Sequence, residues 1–413
     1  MCIGNALSFW KYLHQYYKIE SLLKKEELQA FKYDLLFAHD MKVSLKSPKK
    51  QRKILIIGAG RSVCLDLVPQ LTMIDDLKLP DGLNICLYDE PGHYFKLNQI
   101  VKDMAAIVAG LNTVQILKNI SDGLDGCDIL IYLDHLQREE FEEIDDWLKK
   151  NYESMEKLAD QINQHTTIDM KVIFCSTGPI CFCANVLQAL TKLAKSSIVA
   201  VSAHYGLEIM YAYIVSFGFD PKYFGCPPVW GFLGISTFVD IGHMLQKYNH
   251  SELRWFFYMT HDKNPYKYLI QYKDITSYQV GRTEDLQKSK AICDLLKLWY
   301  KDKKHMENEI ISLGIPSNGA FGIPKGLIYS QPVTLQVSED NTRIWVPFEN
   351  FPLPNTPSST FYNLIFTAEC ITKKFIQKTP LLYHPNGNMS SCSMLAEEEN
   401  RNEWEENSFI EFT

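Results

Sequence analysis

Ile54-Leu55-Ile56-Ile57-Gly58-Ala59-Gly60-Arg61-Ser62-Val63 is the stretch on which the fold turns. Four consecutive apolar residues suit a strand buried on both faces, and the glycines after them suit a tight turn. From Val63 to Leu71 the pattern is helical. Strand, Gly-x-Gly turn and helix in that order set backbone N–H groups at the positive end of a helix dipole, an arrangement that accepts a pyrophosphate. A second apolar run, Leu83-Asn84-Ile85-Cys86-Leu87-Tyr88, ends at Asp89, whose carboxylate can accept hydrogen bonds from ribose hydroxyls. Asp89 lies 31 residues beyond Gly58, and the excess over the usual ~20 is taken up by the loop Pro80-Asp81-Gly82. The third glycine of a full motif is replaced by Val63, and Arg61 and Ser62 crowd the turn. Gly58, Gly60 and Asp89 are the candidate cofactor residues and Arg61 a candidate phosphate contact. A turn of the same shape that binds nothing is the competing reading.

Outward from this unit the pattern repeats. Asp128-Ile129-Leu130-Ile131-Tyr132-Leu133, Lys171-Val172-Ile173-Phe174-Cys175 and Ile198-Val199-Ala200-Val201 are short apolar strands separated by helix-length intervals. Such alternation predicts an α/β fold with a parallel, Rossmann-type sheet covered on both faces. After about residue 205, helices mix with alternating strands such as Thr342-Arg343-Ile344-Trp345-Val346, the signature of an α+β domain. The expected organisation is an extension over 1–50, a nucleotide-binding-like domain over 51–203, an α+β domain over 204–380 and a tail over 381–413. The first 45 residues read as one or two amphipathic helices. The basic run Lys46 to Lys53 reads as a solvated linker in preference to a nuclear localisation signal. From Glu397 to Thr413 seven Glu face one Arg, which predicts a disordered acidic tail.

A net charge of −7 argues against a general nucleic-acid binder, which needs a Lys/Arg surplus for phosphate contacts. No apolar run reaches the ~18–20 residues of a membrane span. The start Met1-Cys2-Ile3-Gly4-Asn5 lacks the basic flank and apolar stretch of a signal peptide, so a cytoplasmic location is expected. Cys64, Cys86 and Cys175 sit in apolar runs, where a reduced thiol acts as a small core residue. Cys181-Phe182-Cys183 has no second ligand pair beside it, so no metal is expected.

From Ser289 onward the chain reads Ser289-Lys290-Ala291-Ile292-Cys293-Asp294, then Ser312-Leu313-Gly314-Ile315-Pro316-Ser317-Asn318-Gly319-Ala320-Phe321-Gly322-Ile323-Pro324 and Leu327-Ile328-Tyr329-Ser330-Gln331-Pro332-Val333. This ordered series resembles the C-terminal domain of the malate dehydrogenase family, within the lactate/malate dehydrogenase superfamily. Pro228-Val229-Trp230-Gly231, with Ser236 and Asp240, resembles a further family segment. The resemblance spans roughly residues 52–378. It is similar to the divergent branch called malate dehydrogenase 1B, which carries an extra N-terminal region.

The resemblance implies NAD as cofactor, a homodimer, and hydride transfer between malate and nicotinamide. That chemistry needs a His base, an Asp to hold the imidazole and arginines to clamp two carboxylates. Laid on this chain, the first clamp Arg falls on Arg138, the second on Ile144 and the third on Glu208. The cofactor-facing Asn falls on Asn151, a turn Asn on Thr177, the Asp on Tyr205 and the catalytic His on Leu233. Leu233 cannot accept a proton, and Glu208 repels a dicarboxylate. The expectation is therefore an impaired dehydrogenase, a pseudoenzyme that keeps nucleotide binding. A malate dehydrogenase with residual activity and a dimeric scaffold with an empty cleft are the alternatives. His204 and His243 are the candidates for substitute catalysis. Bland readings stand beside two retained residues: a solvated helix face for Arg138 and an exposed helical position for Asn151.

Overall fold

A computed structural model describes residues 51–377 except 108–110, 167, 218–224, 241–242, 244–284, 302–308 and 339–341. The helices expected before residue 46 and the acidic tail lie outside the described residues.

Eleven strands form one sheet. They are β1 (Arg52–Ile57), β2 (Leu83–Tyr88), β3 (Thr113–Ile116), β4 (Ile129–Tyr132), β5 (Lys171–Phe174), β6 (Ile198–Val201), β7 (Val229–Phe232), β8 (Ser236–Val239), β9 (Ile311–Pro316), β10 (Ile328–Val337) and β11 (Arg343–Pro347). The first six are parallel in the order β3-β2-β1-β4-β5-β6, the doubly wound arrangement. β9 adds to β6 antiparallel, and β10, β7 and β8 continue the sheet, with β11 on the far half of β10. The expected boundary at 203/204 falls where β6 gives way to a helix. The sheet itself runs on across that point through the β6–β9 pairing.

The helices are α1 (Val63–Leu71), α2 (Tyr94–Ile107), α3 (Ile120–Leu124), α4 (Ile144–His165), α5 (Ile180–Leu190), α6 (Ala203–Phe217), α7 (Asp285–Tyr300) and α8 (Ser358–Thr372). The central stretches of β1, β4, β5 and β6 are apolar at successive positions because both faces are covered. Ile54, Ile56, Ile85, Leu87, Ile129, Ile131 and Val199 point one way, toward α1, α2 and α7. Leu55, Ile57, Leu130, Val172, Phe174 and Ala200 point the other way, toward α4 and α5. The run Ala291-Ile292-Cys293 thus lies inside α7, with Ile292, Leu296 and Trp299 wholly buried. Nine described cysteines are free and all but Cys226 are buried, as core residues should be.

Asn185 joins the parallel half to the later strands. Its Nδ2 donates to the carbonyls of Cys181 (2.7 Å) and Ile328 (3.0 Å), and its Oδ1 accepts the Ile328 amide (2.9 Å). Removing the amide strands buried backbone groups. Asn185→Ala should therefore lower unfolding free energy by about 2–3 kcal/mol. In urea this reads as a lower midpoint at unchanged slope; an unmoved midpoint would show that Asn185 is not the tie.

Candidate functional site

The carboxyl ends of parallel strands gather the polar residues, because each strand there passes into a loop before its return helix. After β1, the amides of Gly58 and Ala59 both donate to the Tyr88 carbonyl at the end of β2 (3.1 and 3.2 Å). Gly58 has φ +80°, and a Cβ there would lie 2.7 Å from the Asp134 nitrogen, so only glycine fits between the β1 and β4 loops. The Gly60 amide donates to Asp89 Oδ2 at 2.6 Å. Asp89 Oδ1 accepts from the Glu90 amide (2.7 Å) and meets His93 Nδ1 (2.8 Å). Arg61 donates to Asp134 Oδ1 (2.8 Å) and to the His135 carbonyl (3.2 Å), latching the glycine turn to the β4 loop. The structure therefore brings Gly58, Gly60, Asp89 and Arg61 together.

At the other end of this edge His135 reaches across to the β5 loop, with its Nε2 3.0 Å from Thr177 Oγ1. Burial, reinforced by the Arg61 charge, pushes the His135 imidazole down to about 4, so it is neutral near pH 7. The β5 loop in turn supports the β7–β8 turn. Gly234, at φ +86°, packs directly on the Gly178 carbonyl, where any Cβ would collide. The Cys181 amide donates to the Leu233 carbonyl at 3.4 Å. Leu233 is fully buried and packs into the same core as Phe182, Trp230 and Phe232.

The other residues expected to matter are distributed as follows. Tyr205 and Glu208 lie on α6; Tyr205 is half-buried and Glu208 is buried. His204 is wholly buried, its ring 4.2 Å from that of Tyr205 and its Nδ1 3.9 Å from Cys175 Sγ. His243 contacts the buried Asp240 carboxylate, which also accepts the Asn355 amide at 3.2 Å, so the pair anchors a corner of the chain. Arg138 donates from Nε to the Glu142 carbonyl (2.8 Å) within an irregular loop, not on a helix face, because α4 begins only at Ile144. Asn151 is buried instead of exposed: its amide donates to the Trp147 carbonyl at 2.9 Å, one turn back. His93, Asp134 and His135 carried no role in the sequence reading. Their signal is position alone, since each follows the carboxyl end of a parallel strand.

Among the described residues no group of His, Cys, Asp or Glu could hold a metal ion, and no helix is long and apolar enough to cross a membrane. No family model matches the chain. A human protein named "Putative malate dehydrogenase 1B" is 22% identical over 355 residues, covering 81% of this chain and 67% of its own length. The solved malate dehydrogenase of Naegleria fowleri aligns at TM-score 0.62 and 15% identity, covering 79% of this chain and 98% of that one. A Trichomonas vaginalis lactate dehydrogenase in complex with NADH and oxamate aligns at TM-score 0.61 and 15% identity, with 79% and 100% coverage. The fold is that of the lactate/malate dehydrogenase superfamily. In sequence the chain resembles the malate dehydrogenases, and among them the 1B branch.

The donor set suits a dinucleotide: a glycine turn, a helix of nine residues behind it and an acidic residue ending β2. His93 and His135 line the same edge, packed against Gly60 and Gly178. His135 also makes stability depend on pH. Unfolded, its imidazole titrates near 6.5, and folded near 4, so the folded form resists the proton. Stability from this group is complete above pH 6.5 and is lost as pH falls toward 4. His135→Gln should flatten that fall in urea unfolding at about pH 7 and pH 4.5; an unchanged pH slope would place the acid sensitivity elsewhere.

Proposed function

We propose that this chain is a dinucleotide-binding protein of the malate dehydrogenase type that does not interconvert malate and oxaloacetate. The observation that carries this reading is the burial of Leu233, a hydrocarbon, at the position the family resemblance assigns to the proton acceptor. General base catalysis contributes roughly 10²–10⁴-fold, and a leucine supplies none of it. The clamp is altered in the same direction. Glu208 brings a carboxylate where the family binds an anion, Ile144 brings an alkyl chain, and Arg138 is engaged by the Glu142 carbonyl. NAD is the cofactor this reading assigns, and when bound it would supply or accept hydride. The residues that would hold it are the Gly58–Gly60 turn with the start of α1 for the pyrophosphate, and Asp89 for the adenosine ribose. A cytoplasmic homodimer belongs to the same reading, on the family resemblance alone.

A scaffold with an unused cleft is the second reading. It is favoured by the backbone of the glycine turn, where the amides of Gly58, Ala59, Gly60 and Arg61 are all bonded within the protein. Titration with NADH, followed by nicotinamide fluorescence and then by addition of oxaloacetate, separates the readings. Binding without NADH oxidation is expected; oxidation would restore the enzyme, and no binding would leave the scaffold. Leu233→His alone should remain inactive toward oxaloacetate while Glu208 is present, and should lower the urea midpoint by burying a polar ring in an apolar site. Measurable turnover by that single variant would contradict the assignment of Glu208 as the second block.

A further inference from the structure

Two glycines at the carboxyl edge leave space that two histidines of the same chain fill. A Cβ on Gly60 would lie 2.5 Å from His93 Cβ and 2.8 Å from its Cγ. A Cβ on Gly178 would collide with His135 Cβ. In a dinucleotide-binding turn the second glycine serves to let the pyrophosphate approach the backbone; here the His93 side chain makes that approach. The ring is tied at Nδ1 to Asp89, the carboxylate that would otherwise take the ribose diol, and Asp89 is only 7% exposed. His135 makes the matching contact on the nicotinamide side, spanning from the β4 loop to Thr177 on the β5 loop. Between them Arg61, the candidate phosphate contact on the glycine turn, is bound by Asp134.

We propose that His93 and His135 are built-in occupants of the dinucleotide cleft, one at each end, and that a dinucleotide enters only by displacing both imidazoles. The inference rests on the dinucleotide reading above and adds to it a self-closed state. The form with both rings in place is the resting one. The open form is a minor population, so the apparent affinity is the intrinsic affinity scaled by that fraction. Neither histidine closes the cleft by burying a large surface. His93 keeps 48% of its side chain exposed, so its ring can swing outward and release Asp89 without disturbing the core, while its Cβ stays against Gly60. When it leaves, Asp89 regains an acceptor position for a ribose hydroxyl. When His135 leaves, Thr177 regains its hydroxyl for a ligand. Each contact is a single hydrogen bond, so each sets a several-fold bias and the two together about tenfold or more.

The test is NADH titration of the full chain as wild type, His93→Ala, His135→Ala and the double variant. Because His93 is half-exposed, His93→Ala is expected to fold, and a urea midpoint close to wild type verifies it. The expected result is a dissociation constant lowered several-fold by each single change and by about tenfold or more by the pair. His93→Phe, which keeps a ring over Gly60 but cannot bond Asp89, should gain less than His93→Ala. Wild-type binding with equal or weaker binding in all variants overturns the self-closure and leaves the dinucleotide reading standing. Absence of NADH binding in all the proteins, the double variant included, overturns both.

Discussion

The turn that carries Leu233 is held against the turn that ends β5. Gly234 sits on the Gly178 carbonyl with no room for a side chain, and the Leu233 carbonyl receives the Cys181 amide from the first turn of α5. The backbone at this point is thus fixed by two contacts with the β5–α5 turn. Whatever residue stands at 233 is delivered to one place, and the chain delivers an isobutyl group into a core of aromatic and aliphatic neighbours. On the proposed alignment a proton acceptor belongs there. On that proposal the chemistry is lost through the choice of side chain, and a dehydrogenase-like fold can stand without the reaction because function lives in the site.

Charge follows the same logic. A cleft for an anionic dinucleotide and a dicarboxylate should present cations or bare amides. Instead Asp89 and Asp134 stand at the glycine turn, Glu208 is buried on α6, and Arg61 is already neutralised by Asp134. Backbone amides that could have faced a phosphate are spent on Tyr88 and Asp89. The two imidazoles complete this internal satisfaction. On the self-closure proposal, a ligand that takes Asp89 or Thr177 must replace a hydrogen bond that already exists.

Much of the parallel half of the fold was legible because its central strands are short apolar runs separated by helix-length intervals; Ile54–Ile57, Asp128–Leu133 and Lys171–Cys175 overlap β1, β4 and β5, whereas β3, Thr113-Val114-Gln115-Ile116, alternates polar and apolar residues and offers no such run. The start of α1 after Gly60 was legible from the glycines. Less was readable at the site. Asn151 looks like a surface residue on an amphipathic helix, yet α4 turns it into the packing with α5, since a lone polar residue in a sequence does not reveal which helical face it occupies. Arg138 looked compatible with a helix because its charged neighbours have helical propensity, whereas the Arg138–Glu142 contact closes a loop first. His93 and His135 could not be found by motif at all. Their meaning lies in contacts with Gly60 and Gly178, 33 and 43 residues away in sequence, and such tertiary pairings leave no local periodicity.

A single-turnover experiment probes the chemistry at Leu233. Protein in large excess over NADH is mixed with saturating oxaloacetate, and the absorbance of reduced nicotinamide is followed for hours alongside a protein-free control. With leucine at 233 the two traces should decay together, however much of the NADH is bound. Loss of the reduced nicotinamide faster than in the control, with malate formed in equal amount, would mean that another group on this chain moves the proton and that Leu233 does not disarm the site.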